Sequence, residues 1–261
     1  ASAARYIECR LTDLARDVLL NKAITEYVDT YDSRNKEPVV FPAKIPLLLI
    51  LGTEGIAVGM STRILPHNFC EVLEAQIAVL KGKRFKLYPD FPTGGQIDVS
   101  EYNDGNGKVL TRAVLDTKDP KRIILRELPN GFTSESLITS IEDASKKGKL
   151  KISSIADYTT EAVEIDIHLA RGVQSKDTVD ALYAFTGCES STTASLLAIK
   201  DDRPHIMNVT EVVKHSTDKL LEILKAELKL EERELSDRLH AKTLEQIFIE
   251  NWIYKEIEEQ E

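Results

Sequence analysis

The chain has 261 residues, of which 42% are hydrophobic and 30% charged, a composition typical of a folded protein with a sizeable core. A formal net charge of −9 excludes a protein that is basic all over, although one local basic face remains compatible with it. We expect neither a membrane span nor a signal peptide, because no apolar run is long enough. The start without methionine and the mid-pattern end suggest a piece excised from a longer protein. Widely spaced Cys9, Cys70 and Cys188 are interpreted as reduced, packed thiols of a cytosolic protein.

An arginine and a tyrosine stand side by side near the start of the chain, at Arg5 and Tyr6. A phenol is a poor nucleophile at neutral pH, since its pKa is ordinarily about 10. A neighbouring guanidinium favours the phenolate and can stabilise charge that develops on a phosphate under attack. The commoner meaning of such a pair is a surface cation beside a half-buried ring. The pair alone leaves both interpretations open.

The first predicted element is a helix over residues 8–28, where apolar side chains recur at helical spacing. A polar, turn-rich connector follows at 29–36. Prolines then exclude one continuous helix through the next apolar stretch. Residues 39–41 and 47–51 are therefore predicted to be short extended or tightly bent segments.

A glycine-rich segment occupies residues 52–60 and reads Gly-Thr-Glu-Gly-Ile-Ala-Val-Gly-Met. Its glycine spacing matches neither the dinucleotide fingerprint nor the phosphate-binding loop. One interpretation is a buried turn where backbones approach closely. The other is a turn that exposes Ile56 at its tip as an apolar wedge.

Asn68 is the predicted cap of a helix that runs through Lys81 and is closed by Gly82. The basic cluster that follows is interpreted as a solvated helix end; it consists of Lys81, Lys83, Arg84 and Lys86.

Residues 90–200 alternate strands and helices. Strands are predicted at 109–115, 122–127, 151–156, 163–169 and 195–199, helices at 134–146 and 176–185, and a hairpin loop at 103–107. No catalytic cluster is apparent among them. Glu161, Glu164 and Asp166 alternate like the solvated face of a strand.

From Val209 the pattern is that of one long helix, with leucines at 221, 224, 228 and 235 in heptad-like spacing. We expect an extended arm that pairs with a helix outside this sequence. A second helical pattern covers residues 244–253.

Three stretches together resemble the A subunits of bacterial type IIA DNA topoisomerases, that is, DNA gyrase and topoisomerase IV. They are Ala-Ala-Arg-Tyr-Ile-Glu-Cys-Arg-Leu at 3–11, the segment from Glu37 through Asn68 with its Lys-Ile-Pro and Gly-Ile-Ala-Val-Gly-Met motifs, and Asp-Phe-Pro-Thr-Gly-Gly at 90–95. Their order and separations match over the first hundred residues, and weaker similarity continues through the helical arm.

The resemblance implies an enzyme that cuts both strands of a duplex, passes another duplex through the break and reseals it. Tyr6 matches the nucleophile that forms a 5′-phosphotyrosyl bond, and Arg5 matches the arginine that assists it. Ile56 matches the isoleucine that enters between base pairs and bends the DNA. Lys44 is a weaker candidate for a phosphate contact.

The same resemblance implies partners and cofactors outside this chain. Double-stranded DNA is the substrate, Mg²⁺ and ATP belong mainly to a partner B subunit, and the full-length protein is a homodimer. No metal ligands are expected here, and the location is cytoplasmic and nucleoid-associated. The isolated chain is expected to be inactive.

The implied fold class is α+β, a mixed α/β tower-like domain followed by a coiled-coil arm. The expected domains are a winged-helix remnant with the tyrosine at 1–36, the tower at 37–205, the arm at 206–240 and the start of a helical gate region at 241–261. Leu47, Leu51 and Glu54 depart from the usual gyrase pattern and favour a protein of the topoisomerase IV kind. Because a carboxylate repels phosphate, Glu54 puts DNA contact beside Ile56 in doubt. Gyrase A, a non-catalytic DNA-binding module and a dimerising scaffold are the alternatives.

Overall fold

A computed structural model describes residues 3–200 and 203–252 of the chain. The chain divides into two compact units, Ala1–Ile45 with Lys214–Glu261, and Pro46–Val213. Among the residues described, no helix combines the length and apolarity that a bilayer crossing requires. The predicted domain bounds stay predictions.

The first unit contains a 3₁₀ turn, two short strands and two helices. They are the turn Ala4–Tyr6, α1 Asp13–Leu19, β1 Tyr27–Asp29, β2 Lys36–Pro38 and the part of α6 (Val209–Glu250) that begins at Lys214. Strands β1 and β2 pair antiparallel, with Tyr27 opposite Pro38. The predicted connector at 29–36 is therefore the turn of a hairpin.

The predicted helix over 8–28 is wrong in length, because only Asp13–Leu19 is helical. Thr12 starts α1, since its side chain accepts a hydrogen bond from the Ala15 N–H at 3.1 Å. After the helix, Asn21 organises a local turn: its side-chain oxygen accepts from the Ala23 N–H at 3.1 Å, and its carbonyl accepts from the Thr25 hydroxyl at 2.6 Å. Such side-chain and backbone bonds compete with helix propagation.

Helix α6 is one continuous element of 42 residues, about 63 Å long at 1.5 Å per residue. The long helix predicted from Val209 is confirmed. The pattern at 244–253 is not a second helix but continues α6 to Glu250, and Ile253 lies outside the described residues. The predicted seam is exposed, with Leu221 at 40%, Leu228 at 64% and Leu235 at 53%. Pairing of this seam with another helix stays a prediction.

The second unit is a mixed α/β structure, which confirms the fold class at that level. Its elements are α2 Leu47–Leu51, β3 Thr53–Ala57, β4 Met60–Ile64, α3 Phe69–Leu80, β5 Gln96–Asp98, β6 Lys108–Arg112, β7 Val114–Asp116, β8 Arg122–Glu127, α4 Ser134–Lys146, β9 Ile152–Asp157, β10 Ile165–Leu169, α5 Ser175–Phe185, β11 Glu189–Thr193, β12 Leu197–Lys200 and β13 Arg203–Ile206. Helix α4 and strand β8 fall where the sequence predicts them. Residues 47–51 form a short helix rather than an extended segment, since the Pro46 carbonyl accepts from the Leu49 N–H at 3.0 Å.

Two antiparallel sheets carry most of the second unit. One has the strand order β7-β8-β10-β9 and the other β11-β6-β5, and the loop predicted at 103–107 connects β5 to β6. Helices α4 and α5 pack with the four-stranded sheet around fully buried Ile123, Leu137, Ile167 and Leu182. A second apolar cluster includes Leu49, Val72, Val109, Leu196 and Val213.

Asp166 corrects the interpretation of the strand carboxylates. It lies on β10 but is only 6% exposed, and its Oδ2 accepts a hydrogen bond from Arg122 Nη1 at 3.0 Å. Arg122 reaches it diagonally, because the register places Arg122 opposite His168 on the neighbouring strand. Strand β10 lies between β8 and β9, and Arg122 of β8 reaches the carboxylate, so alternation along one strand does not predict its burial.

The three cysteines are free, but only Cys188 is packed as predicted. Burial raises the pKa of the Cys188 thiol to about 11. Cys9 and Cys70 are exposed, so the packing prediction is wrong for these two.

The Pro-Thr-Gly-Gly motif forms a loop that holds a carboxylate from β8. Gly95 N–H donates to Glu127 Oε2 at 2.6 Å, and Gly94 and Gly95 have φ angles of +74° and +94°. A Cβ on Gly95 would lie 3.0 Å from the Arg112 carbonyl oxygen and 3.1 Å from that of Leu128. Backbone approaches the loop so closely that only glycine fits there.

A buried histidine links the segment after β4 to the other side of the core. His67 is 3% exposed, with Nδ1 3.0 Å from the Leu49 carbonyl oxygen and Nε2 3.0 Å from the Tyr102 hydroxyl. The carbonyl can only accept, so Nδ1 carries the proton and Nε2 accepts from Tyr102. Burial lowers the pKa of His67, against smaller opposing effects that include Asp104 and Asp90, and burial raises the pKa of Tyr102. Both groups are therefore neutral in the fold.

This histidine makes the stability of the second unit depend on pH. The pKa of His67 is lower in the folded than in the unfolded chain, so only the unfolded chain gains a proton as the pH falls below about 6.5. We expect the free energy of unfolding to fall with pH from there down to the folded pKa. The His67→Phe variant should lose this pH dependence of the free energy of unfolding. The His205→Gln variant, changed in an exposed strand, should keep it. Urea unfolding between pH 5 and 7.5 measures the difference, and identical pH slopes in wild type and His67→Phe would contradict it.

Candidate functional site

Arg5 and Tyr6, the candidate catalytic pair, lie together in the 3₁₀ turn Ala4–Tyr6. The Tyr6 N–H donates to the Ala3 carbonyl at 2.9 Å, which closes the turn. The Arg5 guanidinium carbon lies 4.9 Å from the centre of the Tyr6 ring, a cation–π contact. Tyr6 is 71% exposed, so its ring is not half-buried and its hydroxyl is open to an incoming group. A cation therefore stands beside an accessible phenol.

Lys44, the candidate phosphate contact, lies in the same unit and is held by a carboxylate. Its Nζ is 2.9 Å from Glu227 Oε1 on α6, and Asn21 Nδ2 donates to the same oxygen at 3.0 Å. The Lys44 and Glu227 side chains are only 26% and 23% exposed. The hydrogen bond from Lys44, ahead of that from Asn21, lowers the pKa of Glu227. A phosphate would have to compete with Glu227 for this cation.

Lys44→Met is expected to lower the free energy of unfolding by about 1 kcal/mol at pH 7, because Glu227 loses the stronger of its partners. Glu227 has its lowered pKa only in the fold, so its contribution is present above the unfolded pKa and lost as pH falls through the folded one. Urea unfolding at pH 7 and pH 4 should show the larger difference at pH 7. Exposed Lys22→Met is the control. If duplex affinity falls as well, Lys44 also contacts phosphate; equal stability of variant and wild type would contradict the pairing.

Ile56 lies on an exposed β-hairpin of the second unit. Strands β3 and β4 pair from Thr53 opposite Ile64 to Ala57 opposite Met60, leaving Val58 and Gly59 as a two-residue turn. The φ angle of Gly59 is +78°, which favours glycine in this turn. Ile56 is 87% and Val58 102% exposed. Of the two interpretations of the glycine-rich segment, the exposed one is correct at Ile56.

Glu54 forms an ion pair across this hairpin. It lies directly opposite Arg63, whose Nε donates to Glu54 Oε1 at 3.1 Å and whose Nη2 contacts the same oxygen. The two side chains are 56% and 45% exposed. The carboxylate that puts phosphate contact in doubt is thus neutralised by a neighbouring cation.

The base of the hairpin is fixed to β12. Arg63 and Ser195 exchange two backbone hydrogen bonds of 2.8 and 3.0 Å. The Thr62 hydroxyl donates to the Ser195 carbonyl at 3.2 Å and accepts from the Leu197 N–H at 3.3 Å. The hairpin is anchored at this end while its tip is open.

The remaining polar groups do not form a metal centre. Within residues 3–200 and 203–252, no group of three or more His, Cys, Asp or Glu side chains could hold a metal ion. The basic cluster Lys81, Lys83, Arg84 and Lys86 is exposed after the end of α3, in agreement with a solvated helix end.

The chain matches the family of DNA gyrase/topoisomerase IV A subunits over residues 1–261. The matched range includes the three motifs, the exposed Arg5–Tyr6 pair and the Ile56 hairpin. The chain belongs to this family, and the resemblance identified from its motifs is confirmed.

Similarity to topoisomerase IV exceeds similarity to gyrase among three relatives. The chain is 52% identical over 249 residues to the DNA topoisomerase 4 A subunit of Borreliella burgdorferi, covering 95% of this chain and 40% of that protein. It is 32% identical over 262 residues to the DNA gyrase A subunit of Lawsonia intracellularis, covering 92% and 32%. For the DNA gyrase A subunit of Brachyspira hyodysenteriae the identity is 33% over 247 residues, covering 85% of this chain and 29% of that protein. The chain thus spans two fifths or less of these relatives.

Sequence reasoning missed Arg63 and Thr62. A usable signal was present: centring a two-residue turn on Val58 and Gly59 places Glu54 opposite Arg63. The bond from Thr62 to Ser195 had no local signal, because the two residues are 133 positions apart.

Proposed function

We propose that the protein containing this chain is the DNA-cleaving and resealing component of an ATP-dependent type II DNA topoisomerase of the topoisomerase IV kind. The observation that carries the proposal is the Arg5 guanidinium over the exposed ring of Tyr6, in a chain that matches the family from end to end. The identity of 52% to a topoisomerase IV protein, against 32% to a gyrase protein, favours the first kind. Gyrase A is the alternative.

The proposed reaction is a transesterification at a DNA phosphate. The Tyr6 hydroxyl loses its proton as its oxygen bonds to phosphorus, and the bond from phosphorus to the 3′ oxygen breaks. The 3′ oxygen takes up a proton and leaves as a hydroxyl, so the numbers of protons and of phosphate ester bonds do not change. The break thus carries a 5′-phosphotyrosyl bond, and the reverse reaction reseals it without external energy. Arg5 stabilises the charge on the phosphate during both reactions.

The proposed partners complete what the chain's own residues do not provide. We assign Mg²⁺ and ATP to the partner B subunit, as the resemblance to the family implies. The protein is proposed to act on double-stranded DNA as a homodimer in the bacterial cytoplasm, at the nucleoid. The exposed leucines of α6 support a coiled-coil arm, and residues 1–36 are proposed to be the end of a winged-helix domain.

Ile56 is proposed to enter a base-pair step and bend the duplex. Its 87% exposure on an anchored hairpin supports this role, because so exposed a side chain can enter the DNA without giving up much contact with the protein. Smooth bending of a duplex costs on the order of 1–6 kcal/mol, which contacts along the bent DNA must offset.

The test is the covalent adduct itself. The full-length protein, mixed with its B subunit, Mg²⁺ and a duplex labelled at its 3′ ends, is expected to yield labelled protein after denaturation. DNA that binds in a salt-sensitive manner but never becomes attached would favour a non-catalytic DNA-binding module. Dimers without any DNA binding would favour a scaffold. For the isolated 261-residue chain we propose binding without cleavage.

A further inference from the structure

Arg63 shares one face of the β3–β4 hairpin with Ile56. Side chains alternate along a strand, so Glu54 and Ile56 point to the same side of β3. The register puts Arg63 opposite Glu54 and Ser61 opposite Ile56, which brings Arg63 to that side as well. Two residues of strand separate the two levels, about 7 Å. The Arg63 guanidinium therefore lies on the same face of the hairpin as the exposed Ile56 side chain.

The ion pair between Glu54 and Arg63 contributes little to the stability of the fold. Both side chains are about half exposed, and exposed ion pairs add little to the folded state. The strands are already fixed by their own register and by the bonds of Thr62 and Arg63 to Ser195. The guanidinium can change partners while its backbone stays in place.

We propose that Arg63 is a phosphate-binding residue that positions Ile56 on the DNA, and that Glu54 holds its guanidinium until DNA replaces the carboxylate. The proposal rests on the proposed function, because it takes duplex DNA as the ligand of this hairpin. Each strand of a duplex carries one phosphate per 3.4 Å of axis. A cation about 7 Å from an inserted side chain thus reaches phosphates within two nucleotides of the step.

The chemistry of the Arg63 guanidinium suits a phosphate. A guanidinium offers parallel N–H donors that match two phosphate oxygens, and it already binds a carboxylate through Nε and Nη2. Glu54 then acts against binding twice, since it occupies Arg63 and repels the phosphate. A duplex binds Arg63 only if its phosphates come close enough to displace Glu54 from the guanidinium and to offset the repulsion from its carboxylate.

The experiment measures duplex binding by the full-length protein with its B subunit, by fluorescence anisotropy over a range of KCl concentrations. Arg63→Gln is expected to weaken binding about 5- to 10-fold at low salt and to reduce the slope of log affinity against log salt by about 1. Glu54→Gln is expected to tighten binding several-fold, and Arg63→Lys to restore the slope. The matched control is Arg126→Gln, which breaks another exposed Arg–Glu pair of the same unit, at 2.8 Å from Glu164.

Bending is measured in the same samples by energy transfer between dyes at the two duplex ends. Arg63→Gln should reduce bending in the same direction as Ile56→Ala, which removes the apolar side chain but keeps the cation. An unchanged salt slope in Arg63→Gln, or weaker binding in Glu54→Gln, would overturn the proposal. Adduct formation by the wild type after Mg²⁺ is added to these samples separates the two ideas, because its absence counts against the proposed function and not against Arg63.

Discussion

Tyr6→Phe, introduced into the full-length protein, is expected to abolish the covalent protein–DNA adduct that the wild type forms with B subunit, Mg²⁺ and duplex. Phenylalanine keeps the ring that Arg5 contacts at 4.9 Å but lacks the oxygen that bonds to phosphorus. Loss of the nucleophile leaves no route to the intermediate, so the adduct should fall to background, a decrease of several orders of magnitude. Denaturing gels of end-labelled duplex measure it directly.

Two further variants make this result specific to Tyr6. Tyr31 is 108% exposed in the same unit, so Tyr31→Phe controls for the loss of an exposed hydroxyl and should cleave normally. Arg5→Ala should retain cleavage but slow it about 100-fold, the usual effect of removing one group that stabilises transition-state charge. Duplex affinity of Tyr6→Phe should stay near that of the wild type. A labelled adduct persisting in Tyr6→Phe would refute the assignment of the nucleophile.

Gly95→Ala is expected to destabilise the second unit by about 2–5 kcal/mol. The residue has a φ of +94°, where an L side chain costs about 1–2 kcal/mol. Its Cβ would also press on the carbonyl oxygens of Arg112 and Leu128, and overpacking adds about 1–3 kcal/mol. Thermal unfolding should show a midpoint lower by roughly 4–20 °C for a unit of this size.

Gly172→Ala separates the two contributions. Gly172 has a φ of +84°, but no atom lies within 4 Å of the position of its added Cβ. We therefore expect only the conformational cost, about 1–2 kcal/mol. Equal midpoints for the two variants would show that the carbonyls around Gly95 move aside without cost.

Elements with local signals were predictable from the sequence. The predicted cap of α3 is confirmed, since the Asn68 side chain accepts from the Cys70 and Glu71 N–H groups, and Gly82 follows the helix with a φ of +64°. Helix α4 begins with a capping box at Thr133 and Ser136. These contacts join residues two or three positions apart, so a short stretch of sequence contains both partners.

Elements that depend on distant partners were not predictable in the same way. Strand β11 reads Glu-Ser-Ser-Thr-Thr and lacks an apolar signature, yet it pairs with β6 from Glu189 opposite Arg112 onwards. Asp166 is buried because Arg122 comes from another strand. In both cases the tertiary partner overrides the local pattern.

The candidate site shows the same division. Motifs sufficed to single out Arg5, Tyr6 and Ile56. Alternation along β3 does not predict the exposure of Ile56, because all five residues of that strand are exposed. The ion pairs of Lys44 with Glu227 and of Glu54 with Arg63 required the folded chain. The net charge that a site presents to DNA depends on such ion pairs, and residue spacing along the sequence does not reveal them.

The unequal environments of the three cysteines provide a chemical tool. Cys188 is buried and its raised pKa disfavours the thiolate that alkylating reagents attack, whereas Cys9 and Cys70 are exposed. A maleimide dye should therefore label Cys9 and Cys70 in the native protein. With Cys70→Ser, a single fluorophore on the isolated chain would sit three residues after Tyr6 and report the arrival of a duplex in real time.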